Sequence, residues 1–242
     1  MKFNYNGISQ FSSVRNTQAS STLDKLGFKS AGTNLNLRYQ NNSILMDSIF
    51  GVRYNLSETD PQKFGFLPEK TEKEMSLYQN DAALGLAFLT NDVYQDVKFT
   101  NLTLDNQTEF LNQLTGFDFK YYDKVDAITT NENVKQIGNR VTVDVDREHN
   151  TSFASVVYTV NVPANSQLYV NVAGIDFSND VQTDVDITVN NFTERYTTNN
   201  VFPFFNAGYF SQSQTVSIRF TFPDNSTVSF DTPEFFAVNT EQ

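Results

Sequence analysis

The sequence predicts an α+β fold: a mixed α/β part over residues 1–117, then an antiparallel β-sandwich of jelly-roll type over residues 118–242. Two patterns carry this. Before Phe117, short apolar runs of helical spacing follow polar caps and stop at glycines. After it, apolar residues alternate with polar ones, with turn signals at roughly 8–12-residue spacing. Composition agrees: 28 Asn, 23 Phe and 11 Tyr among 242 residues suit many short strands and turns.

In chain order, Ser20-Ser21-Thr22 precede Leu23, Leu26 and Phe28, which predicts a short helix over about residues 20–26 with Gly27 as its left-handed stop. Asn41-Asn42-Ser43 lead into Ile44, Leu45, Ile49 and Phe50, a second short helix ended by Gly51. Val52–Leu56 alternates and reads as a strand, as do Ser76–Gln79 and Leu84–Leu89. Asp105 or Asn106 caps a third helix carrying Phe110, Leu111 and Leu114, which stops at Gly116.

Beyond it, Val141, Val143 and Val145 alternate with polar partners, and Phe153–Val162 is a long strand ending at Pro163. Leu168, Val170 and Val172 form the next alternating set. Val185, Ile187 and Val189 run through Asn190-Asn191 into Phe192, Glu194 and Tyr196, a hairpin signal. Val216 to Phe222 reach Pro223-Asp224-Asn225-Ser226, and Val228 and Phe230 are expected to pair back across that turn.

Several chemistries are excluded. With no cysteine, disulfide frameworks, thiolate metal sites and cysteine nucleophiles are absent, and one histidine, His149, cannot build a multi-histidine centre. A net charge of −11 argues against nucleic acid as a partner. No apolar run approaches the roughly 20 residues of a membrane span. Asp144, Asp146 and Glu148 share one face of a strand and read as its wet side. Asp176, Asp180 and Asp184, with Asp186, crowd one stretch and are calcium candidates, although no D-x-D-x-D-G loop accompanies them. The aromatic run through Phe202, Phe204, Phe205, Tyr209 and Phe210 reads as core, with sugar stacking as the other use of such rings. No catalytic centre and no cofactor motif emerges from the residues.

Asn6–Ser13, Leu26–Ser30, Met46–Tyr54, Leu77–Phe88 and Leu114-Thr115-Gly116, followed by Tyr169–Gly174, Val185–Asn190 and Asn206–Phe210, together resemble the extracytoplasmic part of YfhO-type bacterial membrane proteins. The pattern departs at Leu84-Gly85-Leu86, where a proline is expected. The resemblance implies a multi-pass parent similar to GT-C glycosyltransferases, acting on lipoteichoic acid or another cell-envelope polymer with a polyprenyl-phosphate sugar. It implies that the catalytic acid lies in an early loop outside this chain. The chain is then non-catalytic alone, sits on the extracytoplasmic face, and has as partners its own transmembrane region and an envelope glycopolymer. The alternative is a non-enzymatic cell-surface module, carbohydrate-binding or structural. Under the family reading, the ligand-binding candidates are Ser12, Ser13, Arg15, Tyr39 and Asn80, at the ends of expected elements. Arg15 is the foremost, as a guanidinium for phosphate.

Overall fold

The structure, a computed structural model, describes residues 10–11, 17–28, 36–37, 39, 41–85, 87–90, 97–147, 152–177, 183–198 and 204–241. The elements run β1 (Gln10–Phe11), α1 (Thr17–Lys25), β2 (Asn36–Leu37), α2 (Ile44–Ile49), β3 (Tyr54–Ser57), β4 (Phe66–Glu72), β5 (Met75–Asn80) and α3 (Thr103–Thr115). Every described element after α3 is a strand: β6 (Asp123–Val125), β7 (Ala127–Ile128), β8 (Val134–Ile137), β9 (Arg140–Asp144), β10 (Ala154–Val162), β11 (Ser166–Asn171) and β12 (Asp176–Phe177). The remainder are β13 (Thr183–Val189), β14 (Phe192–Thr198), β15 (Phe204–Phe210), β16 (Gln214–Phe222), β17 (Thr227–Asp231) and β18 (Glu234–Asn239). The chain is mostly antiparallel β-sheet.

Three of the sheets share one core. Their strand orders are β14-β13-β16-β10-β7, β15-β11-β18-β6 and β12-β17-β9-β8. Tyr158 and Phe220 of the first sheet meet Phe235 of the second, with ring centres 5.5 and 6.4 Å away. Phe222 of the first sheet meets Phe230 of the third at 5.6 Å. The alternating valines and phenylalanines supply this core, and Val141, Val143, Leu168, Val170, Ile218 and Phe220 are all buried in it. Phe205 and Phe210 belong to it too, so these rings of the aromatic run are core.

The second sheet is buried on both faces. Leu168 and Val170 of β11 face the shared core, while Tyr169 packs the other way with Phe204, Val238, Leu104 and Tyr122. The elements before β6 supply this outer cover. Tyr169 accepts a hydrogen bond on its hydroxyl from the backbone N of Ile44, 2.9 Å away. Gln107 of α3 receives hydroxyl bonds from Ser43 and Tyr122 and donates to the carbonyl of Leu26, so one buried amide joins α1, α2 and α3.

The remaining three-stranded sheet, β3-β5-β4, buries Phe66 and Tyr78 on one side. Its other side exposes Tyr54, Leu56 and Leu67.

Several elements differ from the sequence expectation. Ser20-Ser21-Thr22 lie inside α1, which starts at Thr17. Ser43 does cap α2, accepting from the N–H of Met46. α3 begins at Thr103; Asn106 lies inside it and holds Thr100 and the carbonyl of Lys25 rather than capping the helix. Its stop is as expected: Gly116 has φ 73 and donates to the carbonyl of Asn112. Leu84–Leu89 forms no strand among its described residues; Leu89 is fully exposed, and apolar content alone does not create a ladder partner.

β4 escapes the sequence reading because Pro68 interrupts it and its side chains are charged. It survives as an edge strand with a register shift between Pro68 and Lys70. The Asn190-Asn191 hairpin forms, with Val189 opposite Phe192. The Pro223–Ser226 turn does not fold β16 back on β17. β16 pairs with β10 and β13, β17 with β9 and β12, so the turn carries the chain between sheets. Asp146 is 1% exposed, not on a wet face, because β9 ends before it; Glu148 lies outside the described residues.

Candidate functional site

The loop between β3 and β4 is held against the outer face of the β11–β15 pair. Asp60 turns the chain by accepting from the N–H of Gln62, which has φ 53. Gln167 of β11 then donates to the carbonyl of Gln62 and accepts from the N–H of Phe64. Asn206 of β15 donates to the carbonyl of Pro61 and accepts from Gln167 at 2.6 Å. These two amides are buried, and each bond joins segments about a hundred residues or more apart or neighbouring strands.

That stitching drives Lys63 inward. Its Nζ lies 2.6 Å from Oδ2 of Asp47 on α2 and donates to the hydroxyl of Tyr39 at 2.7 Å. Tyr39 in turn donates to Asp47 Oδ2 at 3.0 Å. Both charged side chains have no solvent exposure. The ammonium also stands over the rings of Tyr39 and Phe66, 5.1 and 5.3 Å from their centres. Oδ1 of Asp47 has no hydrogen-bond partner among the described residues. Burial pushes the Asp47 carboxyl up and the Lys63 amine down, and their mutual attraction opposes both shifts. Burial, then the Asp47 charge, pushes the Tyr39 phenol well up. A sealed ion pair of this kind fixes geometry; no substrate reaches it.

Beside the pair, a notch of about 60 Å³ opens where edge strands β14 and β15 face the loop. Asn41, Gln62, Asn190, Glu194 and Asn206 give it polar walls, and Phe192 and Tyr209 give it aromatic ones. Oδ1 of Asn41 is buried without a partner among the described residues. Glu194 is half-buried; burial holds its carboxyl above the ordinary glutamate value, and Lys63 opposes this. The folded chain therefore holds that proton more tightly than the unfolded one. The stability it contributes is full below the unfolded glutamate value and is lost as pH rises through the raised folded one. Glu194→Gln is expected to remove this part of the fall in stability with rising pH. Urea midpoints from acidic to neutral pH check it, and superimposable profiles for variant and parent would count against it.

Of the residues singled out from sequence, Ser12, Ser13 and Arg15 lie outside the described residues, as does His149. Tyr39 is in the buried cluster. Asn80 ends β5, but it is 3% exposed and spends its side chain on the backbone, donating to the carbonyl of Val52 and accepting from the N–H of Ala82. It presents nothing to a ligand, and the structure does not bring it together with Tyr39 by any bond. Asp180 is outside the described residues. Asp176 lies 4.0 Å from Arg140, and Asp184 lies 3.8 Å from Arg195, which grips Asp186 through two bonds of 2.7 and 2.8 Å. Guanidinium groups thus face the carboxylates that a calcium ion would need, and no cluster of three acidic or histidine ligands forms among the described residues.

Asp47, Lys63, Gln167 and Asn206 were not legible as site residues. Their signal was faint: Asp47 is the only charge in Ile44–Ile49, and Lys63 stands alone before Phe64 and Phe66.

Fold and site define a mostly antiparallel β protein with a sealed ion pair and a polar notch at one seam. None of its described helices is long and apolar enough to cross a membrane. Residues 1–242 match the family model of the bacterial membrane protein YfhO, and the chain belongs to that family. No curated protein matches it. Among solved structures, a family two carbohydrate esterase from Cellvibrio japonicus is similar at 10% identity and TM-score 0.31, over 47% of this chain and 33% of the esterase. The chain therefore spans about a third of that enzyme. A family 35 carbohydrate-binding module from Clostridium thermocellum is similar at 16% identity and TM-score 0.28, over 46% of this chain and 91% of the module. At such TM-scores neither likeness assigns a ligand.

Proposed function

We propose that the chain is the extracytoplasmic part of a multi-pass YfhO protein that glycosylates lipoteichoic acid or another cell-envelope polymer. In this reading it positions the acceptor polymer and turns nothing over alone. The β-rich part acts as a jelly-roll-like sandwich facing the polymer, and the elements before β6 face the protein's own transmembrane region. The observation that carries the reading is the family match along the whole length. The site supports the non-catalytic role. Glycosyl transfer needs a base placed beside donor and acceptor, and the Asp47–Lys63–Tyr39 cluster is sealed.

The absence of cysteine permits a direct test. Ile137 is 83% exposed, so Ile137→Cys in the full-length protein is a reporter site. A membrane-impermeant maleimide is expected to label it in intact cells above the parent background. Replacing residues 1–242 by a flexible linker is expected to leave the remainder in the membrane and abolish polymer glycosylation. Labelling only after lysis, or sugar transfer by the purified chain, would overturn the reading.

A further inference from the structure

We propose that the notch between β14, β15 and the β3–β4 loop binds the exocyclic hydroxymethyl arm of a neutral hexopyranose, with the sugar ring resting on Phe192 and Tyr209. This deepens the envelope-glycan reading above and rests on it for the source of the sugar. The chemistry comes from the lining. Glu194 makes no hydrogen bond or salt bridge among the described residues, and Asn41 Oδ1 is likewise unpartnered and buried. A buried acceptor without a donor costs free energy, as at Asn41 Oδ1, and the half-buried Glu194 carboxyl in the same wall is an acceptor open to a ligand's donors.

Hydroxyl groups supply them and can also accept from neighbouring amides such as Gln62 and Asn190. A phosphate brings only acceptors and a negative charge to a carboxylate, so the phosphodiester of a polymer is rejected here. An ammonium is disfavoured by Lys63, whose charge already acts on Glu194. Size narrows the choice further. About 60 Å³ has room for about four water-sized groups, which admits a hydroxymethyl arm but not a whole hexose. Phe192 and Tyr209 both line the notch and are partly exposed, Tyr209 being braced by Phe64 with ring centres 5.1 Å apart, and they offer apolar surface to the ring left outside. Gly208 lies in the same wall with φ 100, where no Cβ narrows the opening.

The test is an NMR titration of the ¹⁵N-labelled 242-residue chain with methyl glucoside, galactoside and mannoside, and with methyl xyloside, which lacks the arm. At least one hexoside is expected to shift the side-chain amides of Asn41, Gln62 and Asn190. The xyloside is expected to bind about tenfold more weakly, and Glu194→Gln, judged folded by its own spectrum, to weaken the hexoside about tenfold. No shift with any of the three hexosides, equal binding of xyloside and hexoside, or unchanged binding by Glu194→Gln would each overturn the assignment. Such a failure leaves the maleimide result standing; an intracellular reporter cysteine would instead sink the envelope reading while leaving a measured affinity intact.

Discussion

Lys63→Ala is expected to destabilise the chain by about 3–5 kcal/mol, because it strands a buried carboxylate. Asp47 is fully buried, its Oδ1 has no partner among the described residues, and removal of the ammonium leaves its Oδ2 with the Tyr39 hydroxyl. Asp47→Ala is expected to cost a similar amount by stranding the lysine. The double variant Asp47→Leu/Lys63→Met is expected to recover most of the loss, since a buried pair replaced by apolar groups of similar volume is often neutral. Urea unfolding of the four proteins checks these three expectations. Single losses of no more than about 1 kcal/mol, the scale of exposed pairs, would show that the cluster is open to water.

Gly27→Ala is expected to cost roughly 2–4 kcal/mol, from backbone strain and overpacking together. Gly27 has φ 92, and a Cβ there would sit 2.4 Å from Cε1 of Phe204. Phe204 cannot retreat easily, because it is buried among Tyr169, Leu104 and Val238. Gly138→Ala is the control: it shares a left-handed φ of 60, a Cβ there meets nothing within 4 Å, and it is expected to lose only about 1 kcal/mol. Equal losses at the two positions would mean that α1 and β15 are not in contact.

The expectations that held rest on local physics. The stops at Gly27 and Gly116, the cap at Ser43 and the two-residue turn at Asn190-Asn191 each depend on a few adjacent residues. The alternating runs of β10, β13 and β16 were legible because one side of each enters the core. What failed was non-local. Nothing near Pro223–Ser226 states that β16 and β17 part into different sheets. Nothing near Leu84–Leu89 states that no strand is available to pair with it.

The site was less legible for a related reason. Gln167, Tyr169 and Asn206 occupy positions that alternation assigns to solvent, yet they meet a covering layer whose residues lie far away in sequence. By sequence Tyr39 reads as a ligand-facing side chain at the end of an element; its partners Asp47 and Lys63, 8 and 24 positions away, make it part of a sealed cluster.

The two-sided burial of β11 bears on how the chain tolerates insertions. A strand with one wet face can slip by a residue and lose a single set of contacts. In β11 a one-residue insertion would exchange two interiors at once. Leu168 and Val170 would turn toward the amide-lined seam, and Gln167, Tyr169 and Asn171 would enter the valine–phenylalanine core. Six consecutive residues are therefore under opposing demands of polarity, residue by residue. Length variation among relatives should then collect in the connections around this strand and avoid Ser166–Asn171 itself, which acts as a ruler for both halves of the molecule.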